Sequence, residues 1–178
     1  MTTHARAGEE ALVSRAADRG ESLGVLAATY RPVLEDWCRR WVGDRDEAQD
    51  LASEALLRAS GSIRSFVPRG PGALRAWLFR IALNLCRDHL RRRGRAAIPT
   101  DPSDALLQAS PSPQPDRTLW LVVEQLSEPL RAAVLLRVRY EFPYSDIARV
   151  LGCRAGTARW RAHEGLRQLA EMMSDEGI

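Results

Sequence analysis

The sequence predicts an all-α protein made of two small helical domains joined by a flexible linker. Three observations carry that reading. Apolar residues recur at three- and four-residue steps, and no stretch alternates apolar and polar residues as a half-buried strand does. Pro99, Pro102, Pro111, Pro113 and Pro115 crowd together among Ser, Ala and Asp, a composition that favours an extended, mobile connector. The 178 residues suit two small domains, each modestly stable alone because a 60-residue domain buries only about 60% of its unfolded surface. The expected divisions are a disordered tail over 1–20, a first domain over 21–96, the linker over 97–116 and a second domain over 117–174.

Residues 22–58 read as two helices. Leu23, Leu26, Tyr30, Val33, Leu34, Trp37, Cys38 and Trp41 form the first stripe, which Gly43-Asp44 breaks. Ala48, Leu51, Ala52, Ala55 and Leu56 form the second, with Asp46, Glu47 and Asp50 in its first turns, where the positive end of the helix dipole favours acids. Phe66 to Gly72, rich in Gly and Pro, marks a loop. The next helix places Leu74, Trp77, Leu78, Ile81, Ala82, Leu85 and Cys86 on a buried side. Arg80, Asn84, Arg87 and Arg91 follow one another along a different side.

In the second domain, Leu119, Val122, Val123 and Leu126 form one stripe, and Leu130, Val134, Leu135 and Val138 another. Pro143 opens a short helix that Gly152 closes, and a long helix follows from about Ala155 to Met173. That spacing is a helix-turn-helix: Ile147, Leu151, Ala158 and Ala162 would face the core, and Ala148 would let the second helix approach. The second helix then offers Arg154, Arg159, Trp160, Arg161 and His163 to a major groove.

Charge is distributed unevenly. The net charge is only +3, all basic residues are Arg, and Arg grips phosphates and guanine edges bidentately as Lys cannot. Arg75, Arg80, Arg87, Arg91, Arg92, Arg93 and Arg95 face the single acid Asp88 along one segment, whereas Asp44, Asp46, Glu47, Asp50 and Glu54 face only Arg45 along another. Two partners of opposite charge are implied. The basic run beside an aromatic-containing loop fits single-stranded nucleic acid, which needs charge and a stacking surface together. Glu47, Asp50 and Glu54 are spaced three and four apart on a helical face, which suits protein docking better than a hard-cation loop.

Other functions find little support. Cys38, Cys86 and Cys153 lack metal-ligand spacing and fit a reducing compartment, and His4, His89 and His163 have no obvious catalytic partners. No cofactor, metal or small-molecule substrate is expected. No apolar run reaches the roughly 20 residues that span a bilayer, and acids at Glu9 and Glu10 argue against an export signal, so a cytoplasmic location is expected. A stand-alone helix-turn-helix regulator would explain residues 119–170 but not the acidic helix or the Trp77–Arg93 stretch. A magnesium-dependent nuclease using Asp44, Asp46 and Asp50 is a third, weaker reading.

Taken together, YRPVLEDWCRRWVGDRDEAQDLASEALLRA, WLFRIALNLCRDHLRRR and YSDIARVLGCRAGTARWRAHEGLRQL resemble the extracytoplasmic-function group of the sigma-70 family from about Leu23 to Leu169. The resemblance implies a non-enzymatic subunit that joins core RNA polymerase, through its large-subunit coiled coil and flap, and directs promoter recognition and melting. Glu47, Asp50 and Glu54, with Leu51, would meet the coiled coil. Arg80, Asn84, Arg87 and Arg91 would meet the −10 element, and the loop bearing Phe66 and Arg69 would help hold an unstacked base. Arg159 and Arg161, assisted by Arg154 and Trp160 and flanked by Thr157 and His163, would read the −35 duplex. An anti-sigma factor is implied as a further partner. Ser53 and Leu56 depart from the group's usual Gln and aromatic, Arg154 stands where a capping residue is common, and Glu164, Gly165 and Leu166 stand where basic residues are common. A carboxylate near phosphate leads us to expect weaker −35 binding.

Overall fold

The computed structural model describes residues 22–96 and 117–175, and among them every regular element is helical. The expectations for the tail and the Pro-rich linker, and for the side chains of Arg95 and Leu119, lie outside what it describes. The chain divides into two compact units on either side of residue 110.

The first unit contains α1 (Ser22–Val42), α2 (Arg45–Ser62), a 3-10 turn (Ile63–Ser65) and α3 (Ala73–Ala96). Each of the three helices packs on the other two. Helix α1 contributes Leu26, Leu34, Trp37 and Cys38, all fully buried. Helix α2 faces them with Ala48, Ala52, Ala55 and Ala59 around Leu56, and this small-residue surface lets the aromatic side of α1 approach closely. Trp37 is the hub. Its ring meets Trp41 edge-on (centroids 5.5 Å, interplanar angle 67°) and Phe79 of α3 at a tilt (5.3 Å, 50°). Asp44 caps α2 by accepting the Glu47 backbone N–H at 2.9 Å. Glycine at φ +77 ends α1, where the Gly43 N–H donates to Arg39 O.

The periodic reading needs correction in places. Leu23 is exposed, and Tyr30, Val33 and Leu51 are half-buried. In α3 the deeply buried residues include Phe79 and Leu83, which the expected stripe omitted, while Trp77 and Ile81 sit at its half-buried margin. Because α3 packs on both α1 and α2, its buried face is wider than one stripe.

The second unit contains α4 (Arg117–Gln125), α5 (Glu128–Val138), α6 (Tyr144–Leu151) and α7 (Ala155–Asp175). The long α7 packs against the other three. Helix α5 buries Leu130, Ala132, Ala133, Val134, Leu135 and Leu136, so it runs through the middle of the unit; Val138, expected in the core, is 59% exposed at its end. Helices α6 and α7 form the helix-turn-helix. Gly152 adopts φ 64, ψ 39, the left-handed conformation that a side chain would strain, and the N–H groups of Gly152 and Cys153 both donate to Ala148 O. Ile147, Ala148, Ala158 and Ala162 are buried as expected, but Leu151 is only half-buried. Asp146, a buried acid, is held by Arg149 Nη1 at 2.6 Å.

Gly165, one of the departures from the family pattern, is a packing residue. It is buried, and a Cβ there would lie 2.5 Å from Val134 Cγ2 and 3.3 Å from Leu130 O. It is the close-approach point of α7 on α5. Alanine gains about 1 kcal/mol of helix propensity, but overpacking against a stiff buried valine costs about 1–3 kcal/mol. Gly165→Ala should therefore destabilise the second unit by about 1 kcal/mol net, a fall of roughly 4–8 °C in its thermal midpoint. Adding Val134→Ala should remove the clash component; circular dichroism melts of both variants check this.

Candidate nucleic-acid interface

The loop Phe66–Gly72 turns the chain from the 3-10 segment into α3, with positive φ at Gly70 (97°) and Gly72 (74°). The Phe66 N–H donates to Ile63 O, and the Ala76 N–H donates to Gly72 O. This path lays the Phe66 ring on that of Trp77, with centroids 4.6 Å apart and planes at 24°. Both rings are half-exposed. Trp77 lies on the same helical row as Arg80, Asn84, Arg87 and Arg91, because steps of three and four residues share a face. The row thus runs from a stacked aromatic pair into a basic ladder. The stack sets the loop bearing Phe66 beside the start of this row, and Trp77, whose size and spacing made it read as core, is half-exposed there.

Along that ladder Arg80, Asn84 and Arg91 are exposed and Arg87 is half-buried. Arg87 Nη1 donates to Asn84 Oδ1 at 3.4 Å, and Arg91 pairs with Asp88. Arg69 is exposed on the loop.

The acidic face of α2 is less uniform than its spacing implied. Glu47 turns toward α3, where its Oε2 accepts from Arg93 Nη1 at 3.3 Å and lies 3.2 Å from His89 Nε2 without the alignment of a hydrogen bond. Glu54 accepts from Arg58 Nε at 2.7 Å. Asp50 is exposed and its carboxylate has no partner among the described residues. Leu57, one turn beyond Glu54 on the same face, is 52% exposed.

In the second unit Arg154 immediately precedes α7 and its carbonyl accepts the Ala158 N–H. Arg154, Arg159, Trp160 and His163 are exposed, and Thr157 and Arg161 are half-buried. Trp160 is 61% exposed. Glu164, expected to weaken phosphate binding, is occupied within its own helix. Arg167 forks it (Nη2–Oε1 2.6 Å, Nε–Oε2 3.0 Å) and Gln168 donates at 2.8 Å, and these bonds hold its carboxyl down at about 2.

Cys38 and Cys86 meet in the first unit's core, where the neighbouring thiol and burial push the Cys38 thiol far above its ordinary range and leave it unreactive. Among the described residues no three His, Cys, Asp or Glu side chains converge to hold a metal ion. No described helix is long and apolar enough to cross a membrane.

A three-helix unit bearing an aromatic-headed basic helix, with a helix-turn-helix in a second unit, is the architecture of a two-region transcription-initiation factor. Known proteins agree. The family description Sigma-70 region 2 matches residues 26–96, and Sigma-70, region 4 matches residues 116–169. The RNA polymerase sigma-H factor of Pseudomonas aeruginosa is 33% identical over 89% of this chain and 91% of its own length. The ECF RNA polymerase sigma factor EcfG of Rhodopseudomonas palustris is 34% identical over 86% of this chain and 84% of its own. In structure, the sigma factor RpoE of Bartonella quintana, solved with the anti-sigma factor NepR, aligns with a TM-score of 0.69 at 25% identity, covering 86% of this chain and 98% of that one. The chain belongs to the extracytoplasmic-function group of the sigma-70 family and is an RNA polymerase sigma factor.

Proposed function

We propose that this sigma factor joins core polymerase through the α2 face around Asp50, opens promoters with the Phe66–Trp77 ledge and the α3 ladder, and reads the −35 duplex with α7. The observation that carries the reading is the single row from the stacked pair at Phe66 and Trp77 through Arg80 and Asn84 to Arg87. Charge for the backbone and a stacking surface for an extruded base are what a melted strand requires. Unstacking costs a few kcal/mol per base, and the ledge and ladder would offset it together.

The division of labour follows from the same geometry. Glu47 is engaged with α3 and Glu54 with Arg58, so Asp50, flanked by Leu51 and Leu57, is the centre of the polymerase-docking surface. In the second unit Arg154, Thr157, Arg159, Trp160, Arg161 and His163 approach the major groove. The pairing of Glu164 within α7 limits its repulsion of phosphate, which supports ordinary rather than weakened −35 binding. Region 2 is assigned to 21–96 and region 4 to 117–174. The Bartonella quintana relative was solved with an anti-sigma factor, and a protein of that kind, covering the apolar and basic surfaces of both regions, would hold this chain inactive in the cytoplasm.

Run-off transcription with core polymerase from the same species, on promoter-bearing genomic fragments, tests the reading. Discrete transcripts that depend on this chain are expected. Strong binding to duplex DNA by the free chain, with no transcripts, would instead establish a stand-alone regulator. Asp50→Arg should weaken core binding by about tenfold or more, since reversing a complementary charge adds repulsion to the lost attraction. Its helicity and melting should match the parent, and competition for core polymerase against unmodified protein measures the change.

A further inference from the structure

Helix α1 lays one side chain across the face of α2 that carries Asp50. Arg31, exposed on α1, donates from Nη1 to Ser53 Oγ of α2 at 3.1 Å. Ser53 lies one turn from Asp50 and one turn from Leu57, because steps of three and four residues share a helical face. Both neighbours are exposed, and the Asp50 carboxylate has no partner among the described residues. A cation from a different helix is therefore held on a row that has an anion at one end and an apolar side chain at the other.

The guanidinium is held but not neutralised. Glu35, one turn along α1, comes only within 3.8 Å of the same Nη1, and an exposed ion pair of that length is weak. Nε and Nη2 have no partner among the described residues, so most of the donor fork is left over. The bond to Ser53 fixes a long side chain before any partner arrives, which lowers the ordering cost at an interface. Glu47 and Glu54, whose spacing suggested a uniformly acidic face, are turned to Arg93 and Arg58. What the face presents outward is one carboxylate, one guanidinium and one leucine. That set complements a protein surface bearing a base, an acid and an apolar contact within about two helical turns, and a purely basic partner would be repelled at Arg31.

We propose that Arg31 is a second charged anchor of the polymerase-docking surface, taking a carboxylate of the core polymerase large subunit, and that Ser53 is the positioning residue that aims it. This rests on the docking reading above and extends the surface from α2 to α1. It also makes the surface two-signed, so that Asp50 and Arg31 select a partner jointly.

The test is competition for core polymerase between the full-length variants and unmodified protein, repeated across a salt series, with thermal melts in parallel. Arg31→Ala should weaken core binding about fivefold, the upper end for an exposed charge pair. Arg31→Glu should weaken it about tenfold or more, with the gap from the parent narrowing as salt screens the repulsion. Arg31→Lys, which keeps the charge, should retain most of the affinity. Ser53→Ala should cost about threefold. Combined with Arg31→Ala it should add nothing, since Ser53 acts through Arg31. All these variants should melt like the parent. A contact that only ties α1 to α2 would instead lower the melting temperature and leave the core affinity of Arg31→Glu parental, which overturns the anchor. Parental core affinity together with lost self-association in sedimentation would assign the face to a second copy of this chain and likewise overturn it. Loss of core binding in Asp50→Arg with none in Arg31→Glu overturns the anchor while the docking reading stands. Full core binding in both overturns the two together.

Discussion

Replacing Arg80 and Arg87 together by Ala should reduce promoter opening on the order of 100-fold while leaving the affinity for core polymerase within about twofold. Each hydrogen bond to a charged group contributes about 1.5–3 kcal/mol. These guanidiniums stand on an exposed or half-exposed face, so the low end applies, and two contacts sum to about 3 kcal/mol, roughly a factor of 100. Neither side chain supports the core that Leu78, Phe79, Ala82 and Leu83 build on the other side of α3. Loss of folding is therefore not the expected route. The salt dependence separates the explanations further, because two lost phosphate contacts should make the slope shallower by about two. Permanganate footprinting of the open complex across a salt series, with core binding measured in parallel, checks both. If the double variant loses core polymerase and keeps its salt slope, the assignment of α2 to polymerase and α3 to DNA is reversed.

What the sequence could show followed from how local each feature is. The boundaries of α6 and α7, the left-handed Gly152 and the buried Ala158 and Ala162 depend on spacing within one turn or two, and they stand where the pattern put them. The exchange of Trp77 for Phe79 has a different origin. Phe79 stands two residues and about 200° around α3 from Trp77, so it is buried only because a helix flanked on two sides buries a broad arc, and the margin of that arc at Trp77 is decided by the neighbours rather than by its own hydrophobicity. Glu47 shows the same limit for charge. Its spacing with Asp50 and Glu54 describes one face of α2, but its partner Arg93 lies 46 residues away and draws it toward α3. Gly165 stood out in the sequence only as a departure from the basic residues common there, and its packing role, setting the distance between the α5 and α7 backbones, is a tertiary property. Tyr144 escaped notice for a related reason. Arg137 and Arg159 reach its ring, and His163 its hydroxyl, only after three helices are assembled.

Trp37→Ala should unfold the first unit at physiological temperature while the helix-turn-helix unit keeps its own transition. Trp37 is fully buried, and its ring is the contact between α1 and Phe79 of α3. Truncating such a residue costs about 3–5 kcal/mol, because the transfer energy is lost and a cavity remains. Whole domains are stabilised by only about 5–15 kcal/mol, and a unit of this size sits near the bottom of that range. The alanine-lined face of α2 cannot compensate, since Ala48, Ala52, Ala55 and Ala59 have no rotamers that could move into the void. Trp37→Phe leaves most of the apolar volume in place and should cost much less. Calorimetry of the full chain should then resolve a lowered or absent transition for the first unit beside an unchanged one for the second. The same variant should fail to bind core polymerase, because the α2 face is held in place by the core that has been lost. A Trp37→Ala chain that melts like its parent would show that the aromatic contact is dispensable and that alanine-to-leucine packing alone holds the three helices.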